Sequence, residues 1–147
     1  MDNNLEIQYC RIDLTKTNYT QVKSAKLITN PNTIELTEIF KKYCNYKQFT
    51  SVEPMWTNEF IWPHNDVIGY YDQDRLVAWS VVTRYNEHDV YSVQFAWDYA
   101  NPSLGLGVKS IKNECAYYKS LGYRHYYLGE AHKYKYNING FEILGKI

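Results

Sequence analysis

The chain has 147 residues, 45% of them hydrophobic, and its 16 basic and 16 acidic residues give a formal net charge of zero. This length and composition predict a single domain, residues 1–147, with a packed core. A neutral chain has no overall attraction to nucleic acid or to an anionic membrane. The three cysteines, Cys10, Cys44 and Cys115, lack metal-site spacing, and no apolar run is long enough to span a membrane. We therefore expect a cytoplasmic protein without bound metal.

The N-terminal third contains one predicted strand and one predicted helix. Apolar residues alternate with polar ones at the predicted strand, namely at Leu5, Ile7, Tyr9 and Ile12. Apolar residues at three- and four-residue spacing then predict a helix of about three turns. That helix follows Thr33 and includes Ile34, Leu36, Ile39, Phe40 and Tyr43. Residues 49–65 contain two prolines and two tryptophans and follow no period, which predicts a loop.

A hairpin is predicted in the middle of the chain. Strands at 67–71 and 76–82 flank the polar turn 72–75. The second strand has apolar residues on both faces, so we expect it to be central and to have helices on both sides.

Residues 90–129 predict a strand, a turn, a helix and a second strand in unbroken order. Alternating residues at 90–97 predict the first strand, after which Pro102 and Ser103 supply a turn and a helix N-cap. The helix is predicted by a stripe of apolar residues, namely Leu104, Val108, Ile111, Cys115 and Tyr118. The strand at 124–129 is then expected to run parallel to 90–97 and to separate from it at the carboxyl ends.

Two glycines open this helix, at Gly105 and Gly107. The first turn of a helix presents unpaired backbone N–H groups and the positive end of the helix dipole, and a residue without Cβ lets a phosphate approach closely. An anion site is one interpretation. The other is that the glycines allow close packing of the helix on the sheet. Residues 101–147 hold seven basic residues against three glutamates, a net charge of +4, which fits an anionic ligand.

Residues 102–107, PSLGLG, resemble the signature [QR]-x-x-G-x-[GA] of the GNAT acetyltransferase superfamily, with Pro102 at the first position. The resemblance implies an α/β (α+β) fold, a mixed sheet of six or seven strands flanked by helices, and acetyl-CoA as the cofactor. It also implies which residues bind that cofactor. They are Phe95, Ala96 and Trp97 on the strand and Ser103, Leu104, Gly105, Leu106, Gly107 and Val108 at the turn.

The C-terminus resembles the closing pattern of the same superfamily, because Tyr136, Gly140 and Phe141 match its Y, G and F. This implies that Tyr136, on a last helix, protonates the leaving thiolate, with Tyr134 as the second candidate. Glu59, His64 or Asp98 could act as the base through water. The likeness also allows residues 49–65 to cover the acceptor, with Trp56, Phe60 and Trp62 in its pocket. The other interpretation is that these aromatic residues close the end of the sheet.

A second resemblance is to the C-terminal domains of arginyl- and leucyl-tRNA–protein transferases. Four short segments carry it: Asp98-Tyr99, Ser103-Leu104-Gly105, Tyr127-Leu128-Gly129 and Lys133-Tyr134-Lys135. It implies aminoacyl transfer from an aminoacyl-tRNA.

Three functions therefore follow from the sequence. The first is an N-acetyltransferase that moves an acetyl group from acetyl-CoA to a small-molecule or peptide amine. The second is aminoacyl transfer, the one case in which a nucleic acid, tRNA, is expected as a partner. The third is a GNAT-shaped binding protein without catalysis, which Pro102 makes plausible. No membrane partner is expected, and a homodimer is considered.

Overall fold

The computed structural model describes residues 8–48 and 57–146, which form a mixed seven-stranded sheet with one helix on each face. The strands are β1 (Gln8–Asp13), β2 (Ala25–Leu27), β3 (Asn65–Asp72), β4 (Arg75–Arg84), β5 (Asp89–Trp97), β6 (His125–Glu130) and β7 (Phe141–Lys146). The helices are α1 (Thr33–Lys47) and α2 (Leu106–Ser120). Single 3-10 turns lie at Leu14–Lys16, Thr57–Phe60, Pro102–Leu104 and Lys133–Lys135.

The sheet order is β2-β3-β4-β5-β6-β1-β7. Strands β5 and β6 run parallel to each other, and the other neighbouring strands of the described sheet pair antiparallel. The expected mixed sheet of six or seven strands is confirmed. The N-terminal strand β1 lies between β6 and β7, so strands from both ends of the chain complete this side of the sheet. Two residues of the predicted first strand, Leu5 and Ile7, lie outside the described residues, whereas Ile12 is fully buried.

The predicted hairpin and the central position of its second strand are confirmed. The turn between β3 and β4 has positive φ at Gln73 (49°) and Asp74 (71°), as the tight turns that match strand twist require. β4 is buried along nearly its whole length. Trp79 packs against Phe40 of α1 on one face, and Ser80 contacts Glu114 of α2 on the other.

Helix α1 is confirmed and is longer than predicted, with 15 residues ending at Lys47. Asn32 caps it, because its Oδ1 accepts hydrogen bonds from the backbone N–H groups of Ile34 and Glu35. The short edge strand β2 was not predicted, since three residues are too few to show a period. Neither α1 nor α2, the helices of more than one turn in the described ranges, could cross a bilayer.

Two predictions about helix ends are wrong. Ser103 is not the N-cap of α2, because Pro102–Leu104 forms a 3-10 turn and Gly105, at φ 58°, takes the cap position without a side-chain cap. Proline fixes φ without an N–H group and so favours a separate tight turn before the helix. The last helix expected to carry Tyr136 is only the 3-10 turn Lys133–Lys135, which Tyr136 ends. The chain then enters β7, which pairs with β1.

Candidate active site

The candidate site lies where β5 and β6 separate. The two strands pair only at Asp89 with His125, Val90 with Tyr126 and Tyr91 with Tyr127, while β5 continues to Trp97. The predicted parallel pairing and separation at the carboxyl ends are therefore confirmed. A cavity of about 450 Å³ occupies this split, bounded by β5, β6, the end of α1 and the start of α2.

Aromatic rings form one wall of the cavity. The Tyr99 ring lies between two others, with centroid distances of 4.1 Å to Trp97 and 3.9 Å to Tyr46. Tyr99 has a φ of 57°, a left-handed conformation that is unfavourable for a residue with a large side chain. The Nζ of Lys47 lies 5.5 Å from the Tyr99 ring centroid. Stacking on both faces of Tyr99 holds the chain in this conformation at the cavity edge.

A buried carboxylate, Glu114 of α2, also lines the cavity. Three hydroxyl groups from three different strands donate to it. The hydroxyls of Tyr70 and Ser80 lie 2.6 Å from Oε2, and that of Tyr126 lies 2.5 Å from Oε1. Burial raises the pKa of Glu114, and the three hydrogen bonds oppose that rise by stabilising the anion. Glu114 thus connects α2 to β3, β4 and β6.

Lys135 is a buried cation on the cavity wall, with 6% of its surface exposed. Its Nζ donates to the carbonyl oxygens of Leu128 at 3.0 Å and Glu130 at 2.8 Å, both beyond the last β5–β6 residue pair. Burial lowers the pKa of the Lys135 ammonium group. This lysine satisfies carbonyl groups at the carboxyl end of β6 and so supports the open end of the split.

The N-terminus of α2 lies at the cavity rim, and both Gly105 and Gly107 line the cavity. A Cβ atom added at Gly107 would meet no atom of the described structure within 4 Å, and the same holds at Gly105. The packing interpretation of the two glycines is therefore wrong. Gly105 is explained by its positive φ, whereas Gly107 leaves open space in front of the first-turn amides.

The predicted cofactor residues divide into two groups. Five of them line the cavity, namely Phe95, Trp97, Gly105, Gly107 and Val108. The other four do not. Ala96 is buried in the core on the α1 side of the sheet, and Leu106 is buried in the core on the α2 side. Leu104 is half-buried against the α2-side core. Ser103 is exposed, and its hydroxyl donates to Asn101. Alternation along β5 explains why Ala96 points away from its two neighbours.

The predicted catalytic residues lie at different distances from the cavity. Tyr134 lines it with 52% of its surface exposed, and its partial burial raises the pKa of its hydroxyl. Tyr136 lies outside the lining, 46% exposed, with its ring centroid 5.0 Å from that of Phe141. Glu59 lies in the turn Thr57–Phe60, also outside the lining. Asp98 forms an ion pair with Arg75 at 3.0 Å.

The described aromatic residues of the central loop, Phe60 and Trp62, do not line this cavity. Phe60 is buried and packs edge-on against Trp79 with a centroid distance of 5.1 Å, and it lines a separate cavity together with Trp62. Trp62 is 45% exposed and stacks on His64. Trp56 lies outside the described residues. Within the described ranges, no three His, Cys, Asp or Glu residues come close enough to hold a metal ion.

Sequence reasoning missed Glu114 and the role of Lys135. A signal for Glu114 was available, because it lies three residues after Ile111 and four before Tyr118, on the apolar stripe of α2. A charged residue on such a stripe is a candidate for a buried site. The run of Lys133, Tyr134 and Lys135 was noted, but its pattern does not show which of the two lysines is buried.

Comparison with solved structures shows the same fold in acyltransferases. L-PGS from Bacillus licheniformis has a TM-score of 0.65 and 13% identity, over 85% of this chain and 46% of that one. A putative GNAT-family acetyltransferase from Novosphingobium aromaticivorans has a TM-score of 0.64 and 16% identity, over 94% of this chain and 60% of that one. N-myristoyltransferase of Saccharomyces cerevisiae with bound myristoyl-CoA has a TM-score of 0.62 and 12% identity, over 83% of this chain and 43% of that one.

The chain thus spans about half the length of the first and third of these proteins. No curated protein matches it. The family model described as "Arginine-tRNA-protein transferase, C terminus" matches residues 32–143, about three quarters of the chain, including both helices and the split between β5 and β6. With that match and its GNAT-like acyltransferase fold, the chain belongs to the family of arginine-tRNA-protein transferase C-terminal domains.

Proposed function

We propose that this chain transfers an acyl group from an activated donor to an amine, and that the donor is an aminoacyl-tRNA. The observation that carries the proposal is the cavity at the split between β5 and β6, which has the N-terminus of α2 at its rim. The family match favours aminoacyl-tRNA over other donors.

The two ends of the donor would meet different parts of the site. A phosphate near the acyl end would contact the first-turn amides of α2, where Gly107 leaves open space. The acyl carbonyl would lie beside β5, whose edge towards β6 has no strand partner after Tyr91 in the described structure. Backbone N–H groups on this edge of β5, those of Phe95 and Trp97, would then polarise the carbonyl as negative charge develops on its oxygen.

The reaction is attack of a neutral amine nitrogen on the ester carbonyl carbon. The new C–N bond forms, the ester C–O bond breaks, the amine loses a proton, and the ribose oxygen of the tRNA accepts one. Tyr134 is the proposed proton donor, because it lines the cavity and its phenol can donate a proton. Tyr136, the first candidate from the sequence, is farther from the cavity and serves as the comparison.

The acceptor is proposed to approach from the opposite face of the sheet. A second cavity of about 380 Å³ lies there, lined by four tyrosines, Tyr9, Tyr85, Tyr91 and Tyr127. Because side chains alternate along a strand, Tyr127 points away from the α2 face that Tyr126 occupies. Ser92 lines both cavities. The split would thus let an amine reach the donor through the sheet.

Acetyl-CoA is the second candidate donor, with a small-molecule or peptide amine as acceptor. The fold similarity to a GNAT acetyltransferase and to an N-myristoyltransferase with bound myristoyl-CoA supports a CoA thioester. The open space at Gly107 would admit the pyrophosphate of CoA as readily as a tRNA phosphate. In this case a thiolate leaves in place of the ribose oxygen.

A parallel transfer assay separates the candidates. Purified protein is incubated with a peptide library of defined N-termini and either radiolabelled arginyl-tRNA or radiolabelled acetyl-CoA. Label on peptide from arginyl-tRNA alone supports the first proposal, and label from acetyl-CoA alone supports the second. A protein that binds one donor but labels no peptide would be a binding protein of this fold. A Gly107→Val variant is the control, since it should lose labelling without unfolding.

A further inference from the structure

Glu114 is the one carboxylate among the described residues that line the donor cavity. The other charged residues on that lining are Lys47 and Lys135. The Nζ of Lys135 is held by two carbonyl groups, and no ion pair formed by the described residues involves Glu114. Within the described structure, Glu114 therefore lines the cavity without an ion-pair partner.

The hydrogen bonds to Glu114 leave its carboxyl group with acceptor capacity to spare. Hydroxyl-to-oxygen distances of 2.5–2.6 Å are typical of charge-assisted bonds to a carboxylate. An ionised carboxylate has about four lone-pair sites, and three are used by Tyr70, Ser80 and Tyr126. One site is left, on a side chain that lines the cavity.

Attachment of α2 to the sheet does not require a charge at this position. An amide could accept hydrogen bonds from two of these hydroxyls and donate one to the third, and an apolar side chain could fill the same volume, both without the cost of burying an anion. A buried carboxylate is favourable where a cation completes it. The cavity supplies the place for one, and it is lined by the aromatic residues Phe95 and Trp97, a residue type that favours a nearby positive charge.

We propose that Glu114 binds the α-ammonium group of the donor's aminoacyl moiety. This rests on the proposed aminoacyl transfer. An α-aminoacyl ester carries an ammonium group on the carbon next to its carbonyl, so the carbonyl could lie at the edge of β5 while the ammonium group faces Glu114. An acetyl group and an N-acylated aminoacyl group lack this cation. Glu114 would therefore select donors with a free α-amino group.

The test uses two stable donor analogues and measures binding by calorimetry, without turnover. One is adenosine with a 3′-arginylamino group in place of the ester, and the other is the same compound without its α-amino group. The wild-type protein should bind the amino compound roughly 10–100-fold more tightly, the range expected for a hydrogen bond to a charged group. Glu114→Gln should bind both equally.

The control is Tyr126→Phe, which removes one hydrogen bond to the carboxylate but keeps its charge, and should retain the preference. Equal binding of the two analogues by the wild-type protein, or a preference that survives in Glu114→Gln, would overturn the assignment. These outcomes differ from binding of neither analogue, which would reject the aminoacyl donor and the role of Glu114 together. The wild-type comparison is decisive even if Glu114→Gln fails to fold.

Discussion

Tyr91 and Tyr127 form the last residue pair between β5 and β6, and the two strands diverge beyond them. In the open region, Nζ of Lys135 donates hydrogen bonds to the carbonyl oxygens of Leu128 and Glu130. The split is thus a built feature with its own hydrogen-bond partners, and not a frayed strand end. The predictions below test whether its parts act as the proposed site requires.

Gly107→Val should weaken donor binding about tenfold or more, because the new side chain would fill the space in front of the first-turn amides. The melting temperature should change little, since a Cβ at this position meets no atom of the described structure within 4 Å. Titration of CoA and of arginyl-tRNA, both of which carry phosphate groups, measures the effect. Lys109→Ala is the matched control, as Lys109 is exposed on the same turn. Unchanged affinity in Gly107→Val would place the phosphate elsewhere.

Tyr134→Phe should lower acyl transfer by roughly 10²–10⁴-fold while donor affinity and melting temperature stay nearly constant, because the ring remains and only the proton donor is removed. Tyr136→Phe, two residues away, should transfer at close to the wild-type rate. Single-turnover kinetics with saturating donor makes the comparison. If Tyr136→Phe is the slow variant, the assignment from the GNAT closing pattern is correct; if neither is slow, the leaving group departs without help from either phenol.

Ser80→Ala should lower the free energy of unfolding by about 1.5–3 kcal/mol, the range for a hydrogen bond to a charged group. Ser80 is buried, and its hydroxyl lies 2.6 Å from Oε2 of Glu114. Ser103→Ala should change the free energy of unfolding by no more than about 0.5 kcal/mol, since Ser103 is exposed and its hydroxyl donates to the exposed Asn101. Urea unfolding of both variants gives the comparison. Equal stabilities would mean that Glu114 does not depend on its hydroxyl donors.

Stability should fall in alkaline solution, and Cys115 should account for part of the fall. Burial raises the pKa of the Cys115 thiol from 9.0 to about 12. The folded protein therefore keeps this proton while the unfolded chain loses it, so the stabilising contribution is complete below pH 9 and is lost as pH rises from 9 towards 12. Urea unfolding between about pH 8 and about pH 10.5 measures how the free energy of unfolding falls with pH in the wild type and in Cys115→Ala. The fall should be less steep in the variant, and the two slopes should differ by up to about 1.4 kcal/mol per pH unit. Parallel declines would contradict a buried protonated thiol.

The sequence by itself determined the elements whose signals are local. Alternation along 90–97, the polar turn at 72–75 and the apolar stripe of α2 each depend on residues within a few positions of one another, and all three are confirmed. The parallel pairing of β5 and β6 also followed, because a helix of this length between two strands leaves few connections. Pro102 and Ser103 predicted where the helix begins to within three residues, although proline placed a separate turn before it.

Only the tertiary structure decided which side chains meet in the cavity. Lys135 is buried because its turn brings it to carbonyl groups of β6, and Glu114 is buried because hydroxyls from three distant strands converge on it. Tyr134 and Tyr136 are two residues apart, and the 3-10 turn places the first on the cavity and the second against Phe141. Such contacts depend on strand order, including the placement of β1 between β6 and β7, and pairings between distant segments leave no periodic signal in the sequence.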